Sequence, residues 1–185
     1  ATEAYGAEVR LFSDRDEAER AVQEAAAQPG TVFLPPYDHD DIVAGQGTAC
    51  LEALEDGANP DAVFAALGGG GWLSGSLLAA RALAPQAAVF GVEPARADDA
   101  ARSIESGQIV RLSGPPKTLA DGVRTPSLSP RTFRIVRQAS GVYLENEDAI
   151  VYWPQWLTHL LKQTVEPTSA MSMAEVVSWL RAQTQ

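Results

Sequence analysis

Cysteine is nearly absent. Cys50 is the only one among 185 residues, which excludes an internal disulfide framework and fits a reducing compartment. It lies in the apolar-flanked stretch GTACLEAL and reads as a buried thiol rather than a nucleophile. Basic residues are scarce as well, 14 against 24 acidic for a formal net charge of -10. No basic stripe offsets that charge, so no nucleic-acid partner is expected. Lysine occurs only at 117 and 162, and histidine only at 39 and 159. No apolar run is long enough to span a bilayer, and no signal peptide is legible, so a cytoplasmic chain without a membrane partner is expected. The chain opens on ATEAYGAEV without an initiator Met, and this beginning reads as cut.

What is present suits a packed core. Hydrophobic residues make up 45% and charged residues 21%, an ordinary globular balance. Strand-like stretches alternate with helical ones. Strands are expected at 8–12, 31–36, 62–67, 87–94 and 142–146. Helices are expected at 14–28, 48–56, 72–84, 133–140, 147–163 with an interruption or kink near Pro154, and 172–183. The runs AVFAAL and AAVFGVEP do not alternate, as parallel strands buried on both faces require. The pattern gives an α/β fold, an open and mostly parallel twisted sheet flanked by helices, as one domain over 1–185. Residues 109–132 hold four prolines and form a long loop of the kind that often carries function.

GGGGWLSG, residues 68–75, joins a buried strand to a helix. Backbone without Cβ atoms at a helix N-terminus exposes N–H groups to an anion, usually a phosphate. A tight turn packed on a neighbour is the alternative, but one or two glycines would suffice for that. Neither GxGxxG nor a Walker lysine is present, which disfavours a nucleotide. GVEPARADDA then sets Glu93, Asp98 and Asp99 at the carboxyl edge of the next strand, where open α/β sheets bind ligands. By spacing alone, Asp98 or Asp99 caps the following helix and Glu93 is solvated; a hard cation is the other reading.

YGAEV, PPYDHDDIVAGQGT, GGGGWLSG, GVEPARADD, ADGV and VEPTSA follow one another along the chain. Together they resemble the fold-type-II pyridoxal-phosphate enzymes, in the branch of serine racemase and the threonine, serine and hydroxyaspartate dehydratases. The resemblance implies that Gly68, Gly69, Gly70, Gly71 and the N–H of Trp72 hold the cofactor phosphate. It sets Asp121, Gly122 and Val123 beside the cofactor ring, Glu166 near its polar edge, and Tyr37 near its hydroxyl. It also implies a divalent cation (Mg, Mn or Ca) on Glu93, Asp99 and the carbonyl of Ala97, overturning the capping reading.

The implied reaction is removal of the α-proton of a small hydroxy amino acid (threonine, serine or 3-hydroxyaspartate), then β-elimination to a 2-oxo acid and ammonia. Racemisation on the same scaffold is the alternative. The family's cofactor-bearing lysine lies in an S-x-K-x-R-G segment, and neither Lys117 nor Lys162 occupies one, so no catalytic residue is assigned. The chain is expected to be part of the large, cofactor-binding domain, without the small domain and inactive alone. As isolated it would be a phosphate- or metal-binding fragment. A homodimer is expected, with the helices bearing Trp153, Trp156 and Trp179 contributing to core or interface.

Overall fold

The computed structural model describes residues 2–184, with Arg15 and Asp16 by backbone only. Two compact units divide the chain, Ala1–Pro35 and Pro36–Gln185. In the first, a 3-10 turn at Thr2–Tyr5 precedes helix α1, Arg15–Ala26. The strands expected at 8–12 and 31–36 do not form: these residues join no ladder, and Leu11 is 91% exposed. Their β-branched and aromatic residues suit a strand, but that preference is realised only against a paired neighbour.

The second unit contains α2 (Asp40–Glu55), β1 (Ala62–Ala66), α3 (Gly71–Leu83), β2 (Ala88–Pro94), α4 (Asp99–Ser106), α5 (Pro130–Val136), β3 (Gly141–Glu145), α6 (Glu147–Leu161), α7 (Pro167–Ala170) and α8 (Ser172–Gln183). The three strands pair in parallel in the order β1-β2-β3, with Phe64 opposite Phe90 and Val92 opposite Tyr143. Helices connect them, as parallel pairing requires.

Period-2 alternation divides the strand side chains between two cores. Val63, Ala65, Val89 and Val142 pack with Leu67, Leu73 and Leu77 of the α3 side and with α5 residues Phe133 and Val136. Phe64, Ala66, Val92 and Tyr143 pack on the other face with Val123, Ile150 and Met171. There Phe64 stacks on Phe90 at 5.1 Å and meets Trp179 of α8 edge-on at 6.3 Å. Both faces are therefore covered, which explains the unbroken apolar runs.

Two helices differ from expectation. α2 starts at Asp40, earlier than the sequence pattern marked, because His39 caps it by accepting from Asp41 N at 3.2 Å. α6 runs without interruption through Pro154. A single proline removes only one ladder donor, and Asn146 secures the helix start by accepting from Ala149 N at 2.9 Å. α2 and α3 approach closely where Gly47 meets Gly75; a Cβ on Gly47 would lie 2.8 Å from the Gly75 carbonyl oxygen.

Candidate functional site

β1 ends at Ala66, and the chain passes through the glycines directly into α3. Gly70 is the N-cap, with φ +87, a conformation that favours glycine, and it offers no side-chain cap. The N–H groups of Gly71 and Trp72 therefore have no acceptor within the helix and lie at the positive end of its dipole. Both residues line a cavity of about 520 Å³.

That cavity brings together Tyr37, Gly68, Gly69, Gly70, Gly71, Trp72, Gly122, Val123 and Glu166. They come from the segment before α2, the β1–α3 turn, the 3-10 turn Asp121–Val123 and the start of α7. Thr168 Oγ1 accepts from Gly122 N at 3.1 Å and ties two of these walls together. Ser169 Oγ donates to Glu166 Oε1 at 3.4 Å. The Tyr37 hydroxyl donates to the Ser127 carbonyl at 3.2 Å.

The glycines are also boxed in by protein. A Cβ on Gly69 would overlap the Tyr37 ring. On Gly68 it would lie 2.9 Å from Val123 Cα, on Gly70 2.9 Å from Thr132 Cβ, and on Gly71 3.0 Å from Tyr37 Cβ. The expectation that a packed turn needs only one or two glycines is thus corrected, since each of the four meets a neighbour. The feature that points to an anion is the helix N-terminus at the cavity, together with Thr125, whose buried Oγ1 has no hydrogen-bond partner among the described residues.

Glu93 and Asp99 lie at the end of β2 and the start of α4, 1% and 2% exposed. Glu93 is not solvated. Its carboxylate accepts from Ala101 N at 2.7 Å and Ala100 N at 3.3 Å, so it is Glu93 that caps α4. Asp98 makes no capping bond and instead faces Arg102 at 3.5 Å. Ala97 is buried, and its N–H donates to the Pro94 carbonyl at 2.8 Å, closing the turn between the two carboxylates. Burial pushes the Glu93 carboxyl up to about 8, against the pull of the Ala101 amide. Burial likewise raises Asp99 to about 7, with Asp98 adding repulsion. Asp99 Oδ2 is buried without a hydrogen-bond partner among the described residues. Among the described residues no group of three or more His, Cys, Asp or Glu side chains is arranged to hold a metal. Two buried carboxylates, one with an orphaned oxygen, fit a hard cation.

The sequence profile of the pyridoxal-phosphate dependent enzymes matches residues 1–184. The chain belongs to that family. It is 42% identical over 179 residues to the L-threo-3-hydroxyaspartate ammonia-lyase of Saccharomyces cerevisiae, covering 94% of this chain and 54% of that protein. It is 39% identical over 176 residues to the serine racemase of Schizosaccharomyces pombe, with 94% and 54% coverage. The crystal structure of the T.th. threonine deaminase superposes with a TM-score of 0.85 at 45% identity, covering 95% of this chain and 59% of that one. The chain thus spans about half the length of the relatives it matches.

The cavity suits the cofactor of the pyridoxal-phosphate family. It offers free helix N–H groups and an orphaned hydroxyl for a phosphate, and Phe64, Ala66 and Val123 as an apolar wall for a ring. Neither lysine lines it. Lys117 is exposed in the 112–117 loop, and Lys162 is exposed at the C-cap of α6. Sequence reasoning missed Gln46, Thr125 and Ser172 as cavity residues. Gln46 sits inside the quoted AGQGT, and Thr125 two residues beyond ADGV, so both lay beside legible words. Cys50 is half-buried, with its Sγ 3.8 Å from the Ser76 carbonyl and its thiol pushed up by burial, as an unreactive cysteine should be. No described helix is long and apolar enough to cross a membrane.

Proposed function

We propose that the protein containing this chain is a pyridoxal-phosphate-dependent ammonia-lyase acting on a small hydroxy amino acid such as threonine, serine or 3-hydroxyaspartate. The observation that carries the reading is the convergence of nine residues from four separate segments on one cavity beside a glycine-capped helix N-terminus. In this reading Gly68–Gly71 and the Trp72 N–H hold the cofactor phosphate. Gly122 and Val123 flank its ring, Glu166 stands at the ring's polar edge, and Tyr37 approaches its hydroxyl. Bound there, pyridoxal phosphate would supply an electron sink that makes the substrate α-proton removable and allows a β-hydroxyl to leave. Glu93, Asp99 and the Ala97 carbonyl hold a divalent cation (Mg, Mn or Ca) that offsets their buried charge and fixes the turn into α4. Residues 1–185 act as part of the cofactor-binding domain of a cytoplasmic homodimer. The 39% identity to a serine racemase supports amino-acid racemisation as a second reading.

The test uses the full-length protein with L-threonine, L-serine and L-threo-3-hydroxyaspartate. We expect a 2-oxo acid and ammonia from at least one of them. Accumulation of the D-enantiomer in place of the oxo acid would select the racemase, and neither product would refute both. Borohydride fixation followed by peptide mass mapping should find the cofactor on neither Lys117 nor Lys162.

A further inference from the structure

We propose that the cleft lined by Arg96, Arg102, Arg111 and Lys117 binds a small polyanion. In a chain of net charge -10, four of the 14 basic side chains line a single open cleft of about 760 Å³, bordered by the loop Leu112–Pro116. It shares no lining residue with the glycine cavity, so the inference stands apart from the proposed reaction.

The cleft is short of negative charge. Only Arg102 has a carboxylate, Asp98 at 3.5 Å. Arg96, Arg111 and Lys117 have no carboxylate partner among the described residues. Arg96 Nη1 donates to the Lys117 carbonyl at 3.3 Å, and Arg111 Nη1 to Ser127 Oγ at 3.5 Å. A guanidinium carries five N–H donors, so most of this capacity is unused. Arg131 shows the contrast, because it is held by both Asp38 and Asp40. Gathering like charges around a concave surface raises their mutual repulsion, and a bound anion relieves it.

The loop is fixed before any ligand arrives. Arg124 Nε donates to the Pro116 carbonyl at 3.1 Å, and Leu112 N donates to the Pro126 carbonyl at 2.9 Å. Pro115 and Pro116 restrict φ, so little ordering remains to oppose binding. Guanidinium forks match phosphate and carboxylate oxygens two at a time, and lysine adds a point charge. Three uncompensated cations call for a ligand with at least two negative charges, a phosphate or a dicarboxylate.

The experiment uses the full-length holoenzyme with magnesium in excess. Inorganic phosphate and glutarate are titrated against sodium chloride at matched ionic strength, following thermal stability and calorimetric binding. At least one anion should stabilise saturably beyond chloride, and phosphate-only or glutarate-only binding would identify which chemistry the cleft takes. The double substitution Arg96→Ala/Arg111→Ala should weaken that binding about tenfold or more, and Lys117→Gln, at an exposed loop side chain, should weaken it without disturbing the fold. Arg181→Ala, on α8, should leave it unchanged. Stabilisation matched by chloride, or retained in both the double variant and Lys117→Gln, would overturn the proposal.

Discussion

At Gly70 the backbone holds φ +87 while a Cβ would press on Thr132 Cβ at 2.9 Å and Leu128 Cδ2 at 3.0 Å. Its missing side chain faces α5, whereas that of Gly69 faces Tyr37. Gly70→Ala should therefore act through strain, costing about 1–3 kcal/mol and loosening the cofactor with it. Urea denaturation and cofactor retention after dialysis measure the two effects. Full retention in a destabilised protein would separate the loop from the phosphate. A second residue-scale effect arises at Glu145, the 5%-exposed last residue of β3. Burial raises its carboxyl to about 7 from the ordinary 4.5, and a hydrogen bond to the Glu175 side chain adds to the rise. A carboxyl raised in the folded state binds its proton more tightly there than in the unfolded chain. Its stabilisation is complete below about 4.5 and is lost as pH rises through about 7. Glu145→Gln should flatten part of the fall in melting temperature across that window, and an unchanged slope would exclude the pair as a contributor.

At the scale of elements, the turn from β2 into α4 carries the sharpest expectation. Glu93 and Asp99 are both raised by burial, to about 8 and about 7, so near pH 5.5 both hold protons that a cation must displace. Magnesium added after chelation should raise the melting temperature more at about pH 8 than at about pH 5.5, and Asp99→Ala should remove the difference. Equal responses at the two pH values would argue against cation binding there. Elements were legible where burial and propensity agreed. β1, β2 and α3 lie close to where their apolar patterns set them. The stretches 8–12 and 31–36 have strand composition but no ladder, because composition does not say whether a partner strand adjoins. The start of α2 escaped notice because its cap is a histidine, a residue outside the usual Ser, Thr, Asp and Asn. The role of Glu93 as cap to α4 escaped it because donor and acceptor lie seven or eight residues apart.

Over the whole molecule, six short words in order identified the family, and nine of the residues they marked share one cavity, whereas Asp121 is not among its lining residues and Glu93, Ala97 and Asp99 lie at the turn from β2 into α4. Thr125 and Gln46 stayed hidden because a single polar residue carries no periodicity, and only folding shows which wall it joins. The surface adds an expectation of its own. α6 exposes Tyr152 by 50% and Trp156 by 45%, neighbouring rings 6.0 Å apart. If the homodimer forms through this helix, sedimentation velocity of the full-length protein should give a dimer, and Trp156→Glu should shift it towards monomer. A dimer indifferent to that charge would move the interface elsewhere.

Trp72 has a consequence of another kind. Of the four tryptophans it alone lines the glycine cavity. Indole emission overlaps the absorption of pyridoxal phosphate, and energy transfer falls steeply with distance. If the cofactor binds as proposed, the residue next to the glycine turn is therefore also an optical gauge, dimming most when the cavity fills, so occupancy can be followed by light without a label and without turnover.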